Sequence, residues 1–229
     1  MTTFFRFPHT PYLSWTGDNS PRDDKILSPE EAQELLMADV IVEEKLDGAN
    51  LGISLTDNGE LRVQNRGQFL TLPGIGQFSR LSSWLKQHNY ALLSVLKPEL
   101  ILFGEWCAAR HSLDYNKLPD WFLLFDVYDC HTRNFWSITR RNTLARSAGL
   151  FTPSEYLRGR TTLPELENLV NTSLSHYRNG SPEGIIIRRE SPEWSKGRAK
   201  LVRPDFTQAI EQHWKNRPLE WNTLAPINM

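Results

Sequence analysis

Residues 40–48 read Val40-Ile41-Val42-Glu43-Glu44-Lys45-Leu46-Asp47-Gly48. Three β-branched residues in succession favour an extended strand, and Asp-Gly favours a turn, so Lys45 falls at a strand end where the backbone is held rigidly. Beyond the turn, Leu51, Ile53 and Leu55 recur with the period of a second strand that buries one face. Asp57-Asn58-Gly59 comes next. Asn-Gly predicts a type I′ hairpin with positive φ at both central residues, and Leu61-Arg62-Val63 is then a third strand, antiparallel to the second.

A lysine amine attacks an electrophile only when deprotonated, so its reference pKa of about 10.4 has to fall towards neutrality for useful reactivity, through neighbouring cations or a metal. Gly48 would let the backbone pass close to a ligand, and Asp47 could accept hydrogen bonds from a sugar. Lys-x-Asp-Gly alone is a weak motif, with an exposed hairpin turn as the bland alternative. Its context is stronger. Further along the chain stand Arg66 in Asn65-Arg66-Gly67, Glu105 in Phe103-Gly104-Glu105, Phe125-Asp126 after an apolar run, Glu183-Gly184-Ile185-Ile186-Ile187, and Lys200 in Arg198-Ala199-Lys200-Leu201.

Helical periodicity is clearest over Ser28–Met37, with Ser28 as cap and Pro29 first, over Phe78–Gln87, and over Arg140–Ala148, ended by Gly149. A fourth helix runs from Leu163 towards Ser175. Leu100–Phe103, Phe122–Val127, Ile185–Ile187 and Leu201-Val202 have strand length, and each adjoins a charged residue named above. The expected class is α+β, with antiparallel sheets and helices outside them. No internal repeat or Gly/Ser-rich linker divides the 229 residues, so residues 1–229 are read as one domain.

With its ordered elements in view, the sequence resembles the covalent nucleotidyltransferase superfamily of ligases and capping enzymes, and within it the ATP-dependent RNA ligase family, over about Lys25 to Phe206. The resemblance implies an adenylation domain of two antiparallel sheets with flanking helices. It also implies an ATP site in the groove between the sheets, and a divalent cation, Mg²⁺ or Mn²⁺. By the same likeness Lys45 is the lysine that becomes adenylylated, and Glu44 lies near the adenine. Asp47 and Gly48 complete that motif. Glu105 contacts the ribose, and Phe125 stacks on the adenine. Glu183 works with the metal and with Lys45. Lys200 sits on the phosphates, and Arg66 lies near the phosphates and the bound nucleic acid.

The chain departs from the family pattern where two lysines separated by one residue are usual: Lys200 has Arg198 and Val202 as those neighbours. Arg198 or Arg203 is the candidate for the second cation, though an arginine cannot donate a proton as a lysine can. Only 23 residues follow Phe206, so no OB domain is expected. A short C-terminal helix carrying Ile210, Trp214, Leu219 and Trp221 is expected instead. The implied activity is joining of 5′-phosphate to 3′-hydroxyl ends through lysyl-AMP, with Lys45, Glu183 and Lys200 catalytic, RNA as partner, and RNA repair as setting. A DNA nick ligase and a non-catalytic nucleotide- or nucleic-acid-binding subunit are the alternatives. Retention of Lys45, Glu105, Glu183 and Lys200 argues against the subunit.

The net charge of −1 hides an uneven distribution. Residues 1–130 hold 11 Lys and Arg against 18 Asp and Glu, whereas residues 131–229 hold 15 against 9. The basic half suits a polyanion, with Arg140, Arg141, Arg188 and Arg189 as candidate backbone contacts, of which strand alternation lets at most one of Arg188 and Arg189 face a groove. Lys200 and the cation are expected to depress the Lys45 pKa by repulsion. Cys107, His111, Cys130 and His131 supply four zinc-type ligands. Adjacent residues in a strand point apart, so two buried thiols and two surface imidazoles are the preferred reading. Two cysteines fit a reducing compartment, and neither a secretory leader nor an 18-residue apolar run is present, so a cytoplasmic monomer, off the membrane and with a repair partner left unspecified, is expected.

Overall fold

A computed structural model describes residues 4–15, 25–209 and 218–226. Helix α1 (Pro29–Leu36) opens on Ser28, whose hydroxyl accepts from the Glu31 N–H while the Glu31 carboxylate accepts from the Ser28 N–H, a reciprocal cap that satisfies two otherwise unpaired donors. Strand β1 (Val40–Lys45) follows, then β2 (Ala49–Leu55) and β3 (Leu61–Gln64). Helix α2 runs over Leu81–Val95, later and longer than its sequence periodicity predicts, because a 3₁₀ turn takes up Gly76–Phe78.

The remaining elements are β4 (Leu100–Trp106), β5 (Phe122–Asp129), β6 (Asn134–Phe135), α3 (Ile138–Ser147), β7 (Glu155–Gly159), α4 (Leu163–Thr172), β8 (Gly184–Glu190), β9 (Ser195–Val202) and α5 (Pro204–Ala209). Gly149 ends α3 in the left-handed region, with φ of 60°.

The strands form two sheets, in the orders β7-β1-β8-β9 and β3-β2-β4-β5-β6, with antiparallel pairing throughout. The class is α+β, as expected. The turn after Lys45 does not fold β2 back onto β1. It carries the chain from the first sheet to the second. Two apolar cores lie on the outer faces: Val40, Val42, Ile185, Ile187, Ala199 and Leu201 pack with helix residues Leu35, Leu166 and Val170, while Leu51, Ile53, Leu100 and Leu102 pack with Leu81, Trp84, Leu85 and Leu144. The faces turned inward carry Glu43, Lys45, Glu105 and Lys200, beside a smaller apolar cluster of Ile101, Phe103 and Tyr128 on the second sheet.

The β2–β3 hairpin departs from the expected type I′ turn. Only Gly59 has positive φ, at 79°, and its N–H donates to Thr56 O at 3.0 Å, so a type I turn over Thr56–Gly59 ends in a left-handed glycine. Thr56 N–H donates to Glu60 O at 2.8 Å, closing the glycine bulge that lets this turn match strand twist. Ile210 and Trp214, expected in a C-terminal helix, lie outside the described residues. Trp221 bridges Ala109 through its backbone, and Leu219 is exposed.

Candidate active site

Alternation along β1 sends Val40, Val42 and Glu44 to the outer face and Glu43 and Lys45 inward. Lys45 pairs with Gly184, and Gly184 in turn with Val202, so the end of β1, the start of β8 and the end of β9 meet at one place. A Cβ on Gly184 would stand 2.2 Å from Leu201 O, which is why glycine occupies that meeting point. The consequence is close contact between two residues 138 positions apart in chain order: Lys45 Nζ lies 2.6 Å from Glu183 Oε1. The lysine side chain keeps 22% exposure, enough to be reached, while that of Glu183 keeps 7%. Glu183 Oε2 is buried and has no hydrogen-bond partner among the described residues.

From the second sheet, Glu105 on β4 faces Lys45. The Gly48 N–H donates to Glu105 Oε1 at 3.1 Å, and a Cβ on Gly48 would stand 2.6 Å from Trp106 O. The close approach that requires this glycine is therefore to β4. Phe125 is the extra residue of a β-bulge: Phe103 pairs with Asp126 and Gly104 with Leu124. A bulge re-aims a side chain, and this one turns Phe125 into the groove beside Phe7. Lys200 on β9 reaches the same space, its Nζ 4.1 Å from the Tyr12 ring centre. Lys45, Gly48, Glu105, Phe125 and Lys200, together with Arg66, Asn50, Gln77 and His111, line a cavity of about 580 Å³ between the sheets, a size suited to a small ligand, and Glu183 borders it through its contact with Lys45.

The charges of the groove act on one another. Burial pushes the Glu105 carboxyl up to about 7, against the opposing pull of Lys45 and Arg66. Burial likewise pushes Glu183 up to about 7, with Lys45 opposing and Asp47 reinforcing. For Lys45 burial favours the neutral amine, yet Glu183, Glu105 and Asp47 outweigh it and hold its pKa above the ordinary value. The sequence predicts the reverse, a lysine depressed by cations. The protein alone surrounds Lys45 with carboxylates, so any depression has to come with a bound cation.

Glu44 is among the residues that line the cavity, and its carboxylate is held by the Ser175 hydroxyl, the Tyr156 hydroxyl at 3.0 Å, and His176 N–H and Nδ1 at 2.8 and 2.9 Å. Other predicted residues sit elsewhere than expected. Asp47 Oδ2 accepts from the backbone N–H groups of Ser112 and Leu113 at 2.7 and 2.8 Å, fixing that loop, and Asp47 does not line the cavity. Arg203 pairs with Asp205 and donates to Val170 O and Asn171 O, away from the groove. Arg198 does line the cavity, but its guanidinium pairs with Asp126 and lies over Phe7 and Phe135. Burial lowers its pKa to about 10, which still leaves it charged near neutral pH.

Of the four arginines expected on nucleic acid, two are internal. Arg141 forks onto Glu43 with Nη2–Oε1 of 2.6 Å, and Arg188 joins Glu43 at 3.0 Å to Asp126 at 2.7 Å. Both also donate to Phe125 O, at 2.9 and 3.1 Å. With Arg198 this buried network ties the two sheets together beneath the bulge. Arg189, on the outer face, bonds Glu34, and Arg140 stacks between Trp136 and Trp194 at 4.0 and 4.7 Å.

His111, expected on the surface, is buried beside the groove with Nε2 2.7 Å from Gln77 Oε1. Burial pushes the Cys107 thiol well up, which disfavours the thiolate a zinc site needs. Cys130 is half-buried. Among the described residues no three His, Cys, Asp or Glu side chains are grouped to hold a metal. A hard cation bound through one carboxylate, phosphate oxygens and water needs no such group. The partnerless, buried Glu183 Oε2 fits that demand.

The RNA ligase family profile matches residues 38–202. The chain belongs to the RNA ligase family. Among solved structures, this family member is similar to Naegleria gruberi RNA ligase with PPi, at TM-score 0.62 and 20% identity over 81% of this chain and 54% of that one. Mutants of the same ligase match with ATP and Mn, at TM-score 0.61, 16% identity and coverages of 79% and 54%, and with AMP and Mn, at 0.59, 17%, 81% and 54%. The chain thus spans about half the length of these ligases, and the likeness is one of fold. No curated protein matches it. No helix among the described residues is long and apolar enough to cross a membrane.

Proposed function

We propose that this chain is an ATP-dependent RNA ligase that links AMP covalently to Lys45, passes it to an RNA 5′-phosphate, and lets a 3′-hydroxyl close the phosphodiester bond. The observation that carries this is the approach of Lys45 Nζ to Glu183 at 2.6 Å, in a groove that Glu105, Phe125 and Lys200 also line.

In the first step Nζ attacks the α-phosphorus of ATP. The N–P bond forms, the bond to the pyrophosphate oxygen breaks, and Glu183 Oε1 is placed to take the ammonium proton. Lys200 stands where it can balance the charge leaving with pyrophosphate, and Phe125 offers a face to the adenine. Glu105 is an acceptor for ribose hydroxyls. In the second step an oxygen of the 5′-phosphate attacks the lysyl phosphorus, and Lys45 leaves and recovers its proton. In the third the 3′-oxygen attacks the 5′-phosphorus and AMP leaves. A divalent cation, Mg²⁺ or Mn²⁺, would be held through Glu183, and when bound it neutralises phosphoryl charge and favours the neutral amine of Lys45 by repulsion. The solved relatives with ATP and Mn support that demand. A cytoplasmic, monomeric repair enzyme is the setting we infer for this activity.

The test combines [α-³²P]ATP and Mn²⁺ or Mg²⁺ with 5′-phosphorylated single-stranded RNA, and with one nicked duplex built in four versions, RNA or DNA on either side of the nick. Sealing should be fastest where RNA supplies the reacting ends, because the 2′-hydroxyl and A-form shape are what distinguish RNA. Faster sealing of the all-DNA nick would assign the chain to DNA instead.

A further inference from the structure

We infer that the N-terminal segment Phe5–Leu13 is a working part of the nucleotide site, in which Tyr12 positions Lys200 and Phe7 positions Phe125. This rests on the proposed ligase function for the roles of those two residues. The RNA ligase profile begins at residue 38, so the segment lies outside the residues that the profile matches.

The segment is anchored to both sheets. On the first, Lys200 N–H donates to Pro11 O and Leu13 N–H donates to Lys200 O, both at 2.8 Å, so the two peptide groups flanking Lys200 are held by one stretch of chain. On the second, Gln64 Nε2 donates to Phe5 O at 2.8 Å, and the Phe5 ring lies flat on Tyr128 at 3.7 Å. Between these anchors Phe7 and Thr10 line the cavity itself.

Each anchor controls a different group. A lysine side chain has four rotatable bonds and spreads its ammonium over many positions unless something restricts it. The Tyr12 ring, 4.1 Å from Nζ, attracts the cation by its face, and the ring is wedged against Trp15 at 4.7 Å, Val202 and Phe206. Phe125 stands at a bulge, with no strand partner of its own on β4. Phe7 meets it edge-on at 5.2 Å, packs on Phe103 at 5.0 Å, and carries the Arg198 guanidinium at 4.5 Å on its ring. One segment therefore sets the aromatic wall and the lysine of the same groove.

The full chain with Tyr12→Leu, Tyr12→Phe and Phe7→Leu tests this, by melting temperature, ATP binding by calorimetry, and the rate of AMP transfer to protein. Tyr12→Leu should slow adenylylation about ten-fold at saturating ATP, and Tyr12→Phe, which keeps the ring face, should restore it to within about two-fold. Phe7→Leu should instead act mainly on affinity, weakening ATP binding about five-fold. A folded Tyr12→Leu protein as fast as the unsubstituted one would overturn the inference. Should Tyr12→Leu fail to fold, Phe7→Leu decides: unchanged ATP binding overturns, weakened binding supports. If the unsubstituted chain binds ATP but forms no lysyl-AMP, the ligase proposal fails separately, and the inference stands or falls on ATP affinity alone.

Discussion

Glu183 grips Lys45 with one carboxylate oxygen, at 2.6 Å, and leaves the other buried without a partner among the described residues. An unsatisfied buried oxygen is costly, and at a phosphoryl-transfer site a cation or its water is the natural occupant. Glu183→Ala should therefore lower adenylylation by about two orders of magnitude or more, comparable to losing a major electrostatic stabiliser. Glu183→Gln, which keeps one acceptor, should show a raised Mn²⁺ requirement in a metal titration. Unchanged metal dependence in a folded Gln variant would move the cation elsewhere.

Glu105 makes a pH-dependent stability prediction. Its carboxyl titrates near 4.5 when free and at about 7 when folded, so between those values the folded chain keeps a proton that the unfolded chain has released. Stability accordingly falls as pH rises from about 4.5 to 7, and the deficit is complete above that. Glu105→Gln removes it. The variant's melting temperature relative to the unsubstituted protein should be several degrees more favourable at pH 8 than at pH 5, while its adenylylation is impaired. Equal differences at both pH values would contradict the burial argument.

The network of Glu43, Arg141, Arg188 and Asp126 predicts a sharp division among arginines. Removing Arg188 or Arg141 strands buried carboxylates, and each alanine variant should lose about 3–5 kcal/mol in urea unfolding. Arg189→Ala, at the outer face, should change stability by about 0.5 kcal/mol or less. Near-equal losses would mean the buried network does not hold the sheets.

The order of site residues was legible because each one ends or borders a short apolar run, and strand ends are where such side chains converge. Lys45, Glu105, Phe125, Glu183 and Lys200 do line or border one groove. Facing was harder to read. Glu43 and Glu44 are adjacent and chemically alike, and only knowing which face of β1 meets the helices tells that Glu43 points inward. Arg141 and Arg188 looked like surface cations because their partner, Glu43, is 98 and 145 residues away. The bulge at Phe125 depends on the β4 register, and the Asp57–Gly59 turn took the bulged form although Asn-Gly favours the tighter one. Phe5 and Phe7 carried no legible signal of their role, since their partners Tyr128 and Phe125 come more than a hundred residues later.

Arg66 lines the groove and lies close enough to Glu105 to oppose the rise that burial gives its pKa. If its main work is on the nucleic acid, Arg66→Ala should leave lysyl-AMP formation within about three-fold of normal and slow sealing of pre-adenylylated RNA by ten-fold or more. Loss of the first step with sealing intact would reverse that assignment.

The central claim is that Lys45 carries AMP, and intact-mass analysis after incubation with ATP and Mn²⁺ tests it most directly. The unsubstituted chain should gain the mass of one adenylyl group, and Lys45→Ala should gain none while still binding ATP in the groove. An adenylyl adduct persisting in Lys45→Ala, or mapping by peptide analysis to another residue, would contradict the account.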